Sequence, residues 1–165
     1  DLFCKIPEIT DNLKINTYKL NYAFRNKDIE YIKLFINQKV EQNGILYVLN
    51  KDSLTAGIIG HTKKDVDIFI PRSIQHQSNE YIVTVIHKYS FENFNKSIKI
   101  ADDSLLQIID DESFYGADIK DIKIPTKVKK IGKKAFMKCR RLKTVTFSDN
   151  SELEIIDENA FQMSA

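Results

Sequence analysis

The apolar positions between residues 83 and 161 follow a pattern that occurs four times along the chain. Each copy reads apolar-x-x-Ile-x-x-x-[Ala/Ser]-Phe and ends in Ser90-Phe91, Ser113-Phe114, Ala135-Phe136 or Ala160-Phe161. From Phe to Phe the steps are 23, 22 and 25 residues. A period in the twenties is typical of solenoids, whose units cannot bury a core alone and must stack. The pattern therefore predicts a stack of about four similar coils.

A short strand pattern recurs with the same period. Two apolar residues flank one outward residue at Ile68/Ile70, Ile98/Ile100, Ile122/Ile124 and Val145/Phe147, and this alternation is that of a half-buried strand. We expect these strands to form a parallel sheet on the concave face of a right-handed solenoid. The outward side chains would be Phe69, Lys99, Lys123 and Thr146, flanked by Asp67, Ser97, Asp121 and Thr144.

The first 43 residues do not follow the repeat. Apolar spacing predicts a helix at 11–25 and a second helix from Ile29 to near Lys39, which together would form a helical hairpin that closes one end of the solenoid. Strand patterns at 45–49 and 54–59 predict a β-hairpin. We therefore divide the chain into an N-terminal helical segment (1–43) and a repeat domain (44–165), with the β-hairpin at 44–60 followed by about four repeats.

One stretch of the repeat resembles a known family. The run from Ile124 to Leu142 reads Ile-Pro-x-x-Val-x-x-Ile-Gly-x-x-Ala-Phe-x-x-Cys-x-x-Leu, and it is similar to the BspA-like leucine-rich repeat. The resemblance covers roughly residues 44–165 and implies an α+β repeat solenoid with a parallel concave sheet. It also implies a non-enzymatic recognition module, often displayed at the cell surface or secreted, that adheres to host proteins or to other cells.

Composition is that of a globular protein, with 42% hydrophobic and 29% charged residues. No run of 18 apolar residues predicts a membrane span, and no signal peptide pattern opens the sequence. The sequence starts at Asp1 and stops inside a repeat, so we expect it to be part of a longer chain. Its open C-terminal end would expose the last core layer, which favours pairing of copies there. Cys4 and Cys139 are too far apart along an elongated fold for a mutual bridge, and we expect two free thiols.

Positive charge is concentrated in one repeat. Residues 120–143 carry eleven Lys or Arg and one acid, a net charge of +10, whereas the whole chain carries +2. We call the following nine residues the basic belt: Lys127, Lys129, Lys130, Lys133, Lys134, Lys138, Arg140, Arg141 and Lys143. One interpretation is surface charge that faces acidic neighbouring repeats. The other is a site for a polyanion such as a sulfated glycan or an anionic surface. Nucleic acid is disfavoured, because no aromatic platform for bases is interleaved.

Candidate catalytic groups fall into columns of the repeat. Asp110 and Asp157 share a column with His87 and Gly132, which indicates caps or tight turns rather than acid–base pairs. Cys139 occupies a column of core residues. The three histidines have no metal-ligand spacing, and five glycines leave little room for a phosphate loop. We therefore expect no enzyme, no cofactor and no metal.

Protein recognition through the concave face is the favoured function, and the candidate contact residues are Phe69, Lys99, Asp121, Lys123, Thr144 and Thr146. Polyanion binding through the basic belt is the first alternative, and steep salt dependence would distinguish it. An intracellular protein-interaction scaffold is the second, and it would be distinguished by localising the full-length protein.

Overall fold

The structure, a computed structural model, describes Ala23 and residues 25–35 and 37–164. A short helix, α1 (Ile29–Lys33), precedes twelve strands in this part of the chain, and Ala23 and Arg25 are also helical. The strands are β1 (Lys39–Gln42), β2 (Ile45–Asn50), β3 (Thr55–His61), β4 (Ile68–Ile70), β5 (Ser73–His76), β6 (Asn79–Ile86), β7 (Ile98–Ile100), β8 (Ile108–Ile109), β9 (Asp121–Ile124), β10 (Lys130–Ile131), β11 (Thr144–Phe147) and β12 (Ile155–Ile156).

The predicted helical hairpin is not what the described N-terminal residues show. The backbone amide of Tyr31 donates to Asp28 Oδ1 at 3.1 Å and caps α1, but the helix ends at Lys33 instead of near Lys39. Residues 39–42 form β1, which pairs antiparallel with β2, because ladder hydrogen bonds to a buried strand outweigh a weak helical pattern. The helix predicted at 11–25 lies outside the described residues, apart from Ala23 and Arg25.

The β1–β2 connection is a tight turn at Asn43 and Gly44. Their φ angles are 54° and 84°, the left-handed values of a two-residue hairpin turn for which Asn-Gly is the strongest short signal. With β3 antiparallel to β2, the predicted hairpin is present and becomes a three-stranded unit. Residues Leu46, Val48 and Ile59 pack beneath Leu34 near the helix, on the opposite side of the sheet from the main core.

Two parallel stacks of strands run through the coils. On one side β4 pairs with β7 and β9 pairs with β11, all in parallel register, and β7 lies beside β9. On the other side β3, β6, β8, β10 and β12 pair in that order and in parallel. The four predicted repeat strands are thus β4, β7, β9 and β11. We call the outward side of these four strands the long-strand face.

The core is organised around a phenylalanine column. Its rings stack face to face from Phe91 to Phe114 (5.3 Å between centroids), from Phe114 to Phe136 (4.8 Å) and from Phe136 to Phe161 (5.1 Å). The backbone amides of the first three donate to the carbonyl of the Ser or Ala one coil later, with N···O distances of 2.7, 2.8 and 2.7 Å. The turns therefore form a third ladder, beside the two stacks of strands.

Each turn around a Phe contains two residues in the left-handed region. They stand two positions before and two positions after the Phe, with φ between 54° and 67°. Glycine occupies one of these eight positions and asparagine occupies two. The remaining side chains adopt an intrinsically unfavourable backbone conformation, so the stacking of coils imposes it. The eight residues are Tyr89, Asn93, Glu112, Gly116, Lys134, Lys138, Asn159 and Met163.

The C-terminal end leaves apolar side chains exposed among the described residues. Ile156 is 52% exposed and Met163 is 55% exposed, whereas the equivalent Ile131 is fully buried. An open hollow lies at this end, lined by Leu142, Lys143, Val145, Phe147, Ile156, Phe161 and Ser164. These side chains form the outermost core layer among the described residues.

Candidate binding faces

The long-strand face brings the predicted contact residues together. Phe69 pairs in register with Lys99, and Lys123 pairs with Thr146. Paired strands are about 4.8 Å apart; β4 and β7 form one such pair, β9 and β11 form another, and β7 lies beside β9 without a ladder between them in the described residues, so the four outward positions follow one another across the face. Phe69 is 54% exposed, and the other three side chains are also exposed. Asp121 and Thr144 pair with each other in the flanking row.

Hydrogen bonds fix two carboxylates at the margins of this face. Lys123 Nζ lies 2.7 Å from Asp102 Oδ1, and this hydrogen bond and charge lower the pKa of Asp102. The Ser97 amide donates to Asp67 Oδ1 at 3.1 Å, and hydrogen bonds from Ser97 lower the pKa of Asp67. Both carboxylates are exposed, so their contribution is to orientation more than to stability. Lys99 makes no ion pair among the described residues.

Much of the basic belt pairs with acids on adjacent coils. Lys133 Nζ lies 2.8 Å from Glu158 Oε2, and Arg141 Nη1 lies 2.8 Å from Asp118 Oδ2. Lys127 pairs with Glu152, and Lys130 Nζ lies 3.4 Å from Asp157 Oδ2. Lys138 Nζ lies 5.1 Å from the ring centroid of Tyr115, in cation–π geometry. The remaining belt residues make no ion pair in the described part of the chain: Lys129, Lys134, Arg140 and Lys143.

One column of the repeat has a structural role at the start of each turn. It consists of His87, Asp110, Gly132 and Asp157. Asp110 Oδ1 accepts a hydrogen bond from the Asp111 amide at 2.8 Å, and Asp157 Oδ1 accepts one from the Glu158 amide at 3.0 Å. Burial raises the pKa of Asp110, while hydrogen bonds lower that of Asp157. The carboxylates thus cap their own turns, and no substrate-facing pair results.

Gly132 is required by a close approach and not by its own dihedral angles. A Cβ built on it would lie 2.5 Å from the Asp111 amide nitrogen and 2.7 Å from the Asp110 carbonyl carbon. Those are backbone atoms of the preceding coil, held there because Asp111 Oδ1 accepts from the Lys133 amide at 2.8 Å. We expect Gly132→Ala to lower the free energy of unfolding by about 2 kcal/mol through overpacking, measured by urea denaturation.

Gly60→Ala is the matched control, because nothing lies within 4 Å of a Cβ built at Gly60. This substitution should leave stability within about 0.5 kcal/mol. Equal urea midpoints for the Gly132 and Gly60 variants would contradict the close-approach explanation.

Thiol and metal chemistry have no support in the described residues. Cys139 is a free, fully buried thiol, and burial raises its pKa to about 11, so it stays protonated at neutral pH. Its Sγ donates to the Phe114 carbonyl at 3.1 Å, and Ser164 Oγ donates to the Phe136 carbonyl at 2.7 Å one coil later. No group of three or more His, Cys, Asp or Glu could hold a metal ion in the described residues. Cys4 lies outside them.

Two features of the surface were missed in the sequence. Asp102, the partner of Lys123, lies in the connector after β7 and carries no repeat signal. Lys96 and Lys120 stand two residues before the first buried residue of β7 and β9, and both lie outside the basic belt, which begins at residue 127. Aligning residues by strand start, and not by the Phe, would have found them.

These coils define the protein as a leucine-rich repeat solenoid. A family profile described as "BspA type Leucine rich repeat region" matches residues 67–165 in six copies. That range is more than half of the chain, so the protein belongs to the BspA-type leucine-rich repeat family. Repeat proteins of this kind are typically non-enzymatic, and membership indicates a protein-interaction or adhesion module. No helix in the described residues is long and apolar enough to span a membrane.

Solved structures are similar to this chain at low sequence identity, and the first of them shares its fold. The pneumococcal vaccine antigen PcpA matches with a TM-score of 0.56 and 17% identity, over 78% of this chain and 48% of that chain. A leucine-rich repeat protein of Bacteroides capillosus matches with a TM-score of 0.47 and 20% identity, over 76% and 91%. A leucine-rich cell surface protein of Faecalibacterium prausnitzii gives 0.37 and 20%, over 78% and 47%. The chain thus spans about half of PcpA. No curated protein matches it.

Proposed function

We propose that this chain is a non-enzymatic protein-recognition module that binds a cell-surface or host protein through its long-strand face. In a leucine-rich repeat solenoid this parallel sheet forms the concave surface, and extended concave surfaces are what solenoids use to bind. The observation that carries the proposal is the continuous row of exposed side chains at Phe69, Lys99, Lys123 and Thr146 on four adjacent strands. Asp121 and Thr144 flank it.

The chemistry of the row fits a protein partner. An exposed phenylalanine offers apolar area that becomes buried on binding, lysines offer charge, and threonine hydroxyls donate and accept hydrogen bonds. Phe69 is the largest exposed apolar side chain on this face. The backbone beneath the row is held by parallel ladders, so the side chains stand on a rigid support.

Charge reversal on the face tests this function. The unmodified chain should capture certain proteins from a surface-protein extract, and Lys99→Glu/Lys123→Glu should abolish their retention. The substituted row repels the partner groups that the two lysines attracted. Lys51→Glu/Lys64→Glu makes the same charge change at exposed loop positions and should leave retention intact. If the two double variants capture the same proteins at the same yield, the long-strand face is not the binding surface.

Polyanion binding through the basic belt is the second candidate, and its support is narrower. It rests on the five belt cations without ion pairs in the described residues, since the other four are neutralised by acids on adjacent coils. Lys129→Glu/Lys134→Glu should then lower the salt concentration at which the protein elutes from immobilised heparin, whereas Lys99→Glu should not. An intracellular scaffold is distinguished by localising the full-length protein. Association of copies through the exposed C-terminal layer is tested by sedimentation at increasing concentration.

A further inference from the structure

Lysines occupy equivalent positions in three neighbouring coils: two lie in β7 and β9, and three lie just before β7, β9 and β11. Residues 96–100 read Lys-Ser-Ile-Lys-Ile, residues 120–124 read Lys-Asp-Ile-Lys-Ile and residues 143–147 read Lys-Thr-Val-Thr-Phe. These fifteen residues carry five lysines and one acid, a formal net charge of +4. We call the five lysines the lysine strip: Lys96, Lys99, Lys120, Lys123 and Lys143.

The backbone places these lysines side by side. The Lys143 amide donates to the Lys120 carbonyl at 2.8 Å, and Lys96 is the equivalent residue before β7. Two residues earlier, the Asp118 amide donates to the Phe94 carbonyl at 2.7 Å, which aligns the segments that lead into β7 and β9. Like charges directly opposite each other on a sheet are destabilising, so this arrangement favours a bound anion.

Fewer carboxylates than lysines lie along the strip: Asp102 is near Lys99 as well as Lys123, and Asp67 is near Lys96. Lys123 alone among its five lysines makes an ion pair in the described residues, to Asp102. All five side chains are exposed. Asp121 is the one acid within the three strand segments. The nearby Asp118 is already paired with Arg141. This differs from the basic belt, where acids of the adjacent coil pair with four of the nine cations.

Beside the lysine strip, at β4, the equivalent positions carry apolar residues. The positions equivalent to Lys96 and Lys99 are Val66 and Phe69, which are 45% and 54% exposed. One edge of the face is therefore apolar, and the next strands are cationic. A sulfated glycan carries charge along its whole length, whereas a polypeptide can place acidic side chains on the lysines and a separate apolar side chain on Val66 and Phe69.

We propose that the lysine strip binds an extended acidic segment of a protein partner, with an apolar side chain of that segment packed on Val66 and Phe69. Three strand steps from β4 to β11 span about 14 Å, which about four extended residues cover. The proposal rests on the proposed function and deepens it by naming the chemistry of the partner. Lysine ammonium groups hold carboxylates as point charges, and the apolar contact fixes the direction of the segment.

Fluorescence anisotropy with a defined peptide tests the strip directly. The probe is a labelled octapeptide with one Phe followed by four Glu, at 50 mM NaCl. Lys96→Gln/Lys120→Gln removes two strip charges outside the Phe69 row and should weaken binding at least tenfold. Lys51→Gln/Lys64→Gln removes the same charge elsewhere and should leave the Kd within twofold. Phe69→Ser should weaken the Phe-containing probe severalfold, but not a probe with Ser in place of its Phe.

A second set of outcomes would overturn the inference. Equal affinity for a probe with Gln in place of Glu, or for both double variants, excludes an acidic-segment site. Tighter binding of a heparin octasaccharide that is unaffected by Phe69→Ser assigns the strip to glycan instead. If no peptide binds while Lys99→Glu/Lys123→Glu still abolishes capture of surface proteins, the proposed function stands and this inference fails.

A readout without ligand accompanies the binding test. If the stacked lysines repel one another, adding NaCl from 20 to 300 mM should raise the Tm of the unmodified chain more than that of Lys96→Gln/Lys120→Gln, because salt screens exposed like charges. Both Tm values at low salt also verify that the variant is folded. Parallel salt responses would show that the lysines are too far apart to interact, and the strip would lose its basis.

Discussion

Phe114→Ala is expected to destabilise the protein by about 3–5 kcal/mol, the range for truncating a buried aromatic ring to Ala. Phe114 is fully buried, and its ring stacks on Phe91 at 5.3 Å and on Phe136 at 4.8 Å. Removing it leaves a cavity in the middle of the phenylalanine column and interrupts two stacked pairs. Guanidinium unfolding at pH 7 measures the loss.

Phe161→Ala is the matched control for Phe114→Ala. Phe161 belongs to the same column but is only half-buried, and in the described residues it stacks on one ring, that of Phe136. Its truncation should cost less than half as much, about 1–2 kcal/mol. Comparable losses for the two variants would mean that stacking along the column does not govern stability.

Acidification from pH 6.5 to pH 4 is expected to cost the protein on the order of 3 kcal/mol through His87 alone. Burial lowers the pKa of His87 to about 4. The ring lies over Gly57, where an added Cβ would meet its Nε2 at 2.3 Å, so little space is left for water around the cation. The neutral form is therefore the one that fits the fold.

The sign of the His87 effect follows from proton counts. Between pH 4 and pH 6.5 the unfolded chain binds a proton at this histidine and the native state does not, so stability rises with pH. The contribution is complete above pH 6.5 and is lost below pH 4. Burial raises the pKa of Asp110 and of Glu112. These two groups make stability fall as pH rises, and they do so equally in the unmodified chain and in a variant at His87.

Urea unfolding of the unmodified chain and of His87→Asn, at half-unit steps from pH 7 to pH 4, isolates this group. The variant loses ring packing by a constant amount, but the difference between the two curves should shrink as the pH falls. A constant difference over the whole range would show that His87 does not titrate with a lowered pKa.

The repeat architecture was predictable because identical positions recur. Four Phe residues in register gave the column, and alternating Ile pairs gave β4, β7 and β9 with their inward faces. The outward row followed from the same alternation. A pattern repeated four times identifies the inward positions more surely than a pattern that occurs once. The single helical pattern at Ile29–Lys39 therefore predicted a helix longer than the one observed, which ends at Lys33.

Other features of the structure could not be predicted from the repeat pattern. The pairing of Lys123 with Asp102, and of the basic belt with acids one coil away, depends on which connectors lie alongside each other. Gly132 was expected to serve a tight turn, yet it is the approach of Asp111 from another coil that excludes a side chain. The turn residues with left-handed φ are mostly not glycine, so no glycine pattern in the sequence predicted their conformation.

The left-handed pairs in every turn bear on how the chain folds. Each non-glycine member opposes its own conformation by about 1–2 kcal/mol, so a coil cannot close unless a neighbour already offers a ladder for its amides. Strands β1 to β3 pair between residues near in sequence, and such contacts form early. Once formed, these three strands leave one edge of β3 available to pair with β6. We therefore expect folding to behave as growth from a seed, with coils added in order from the N-terminal end.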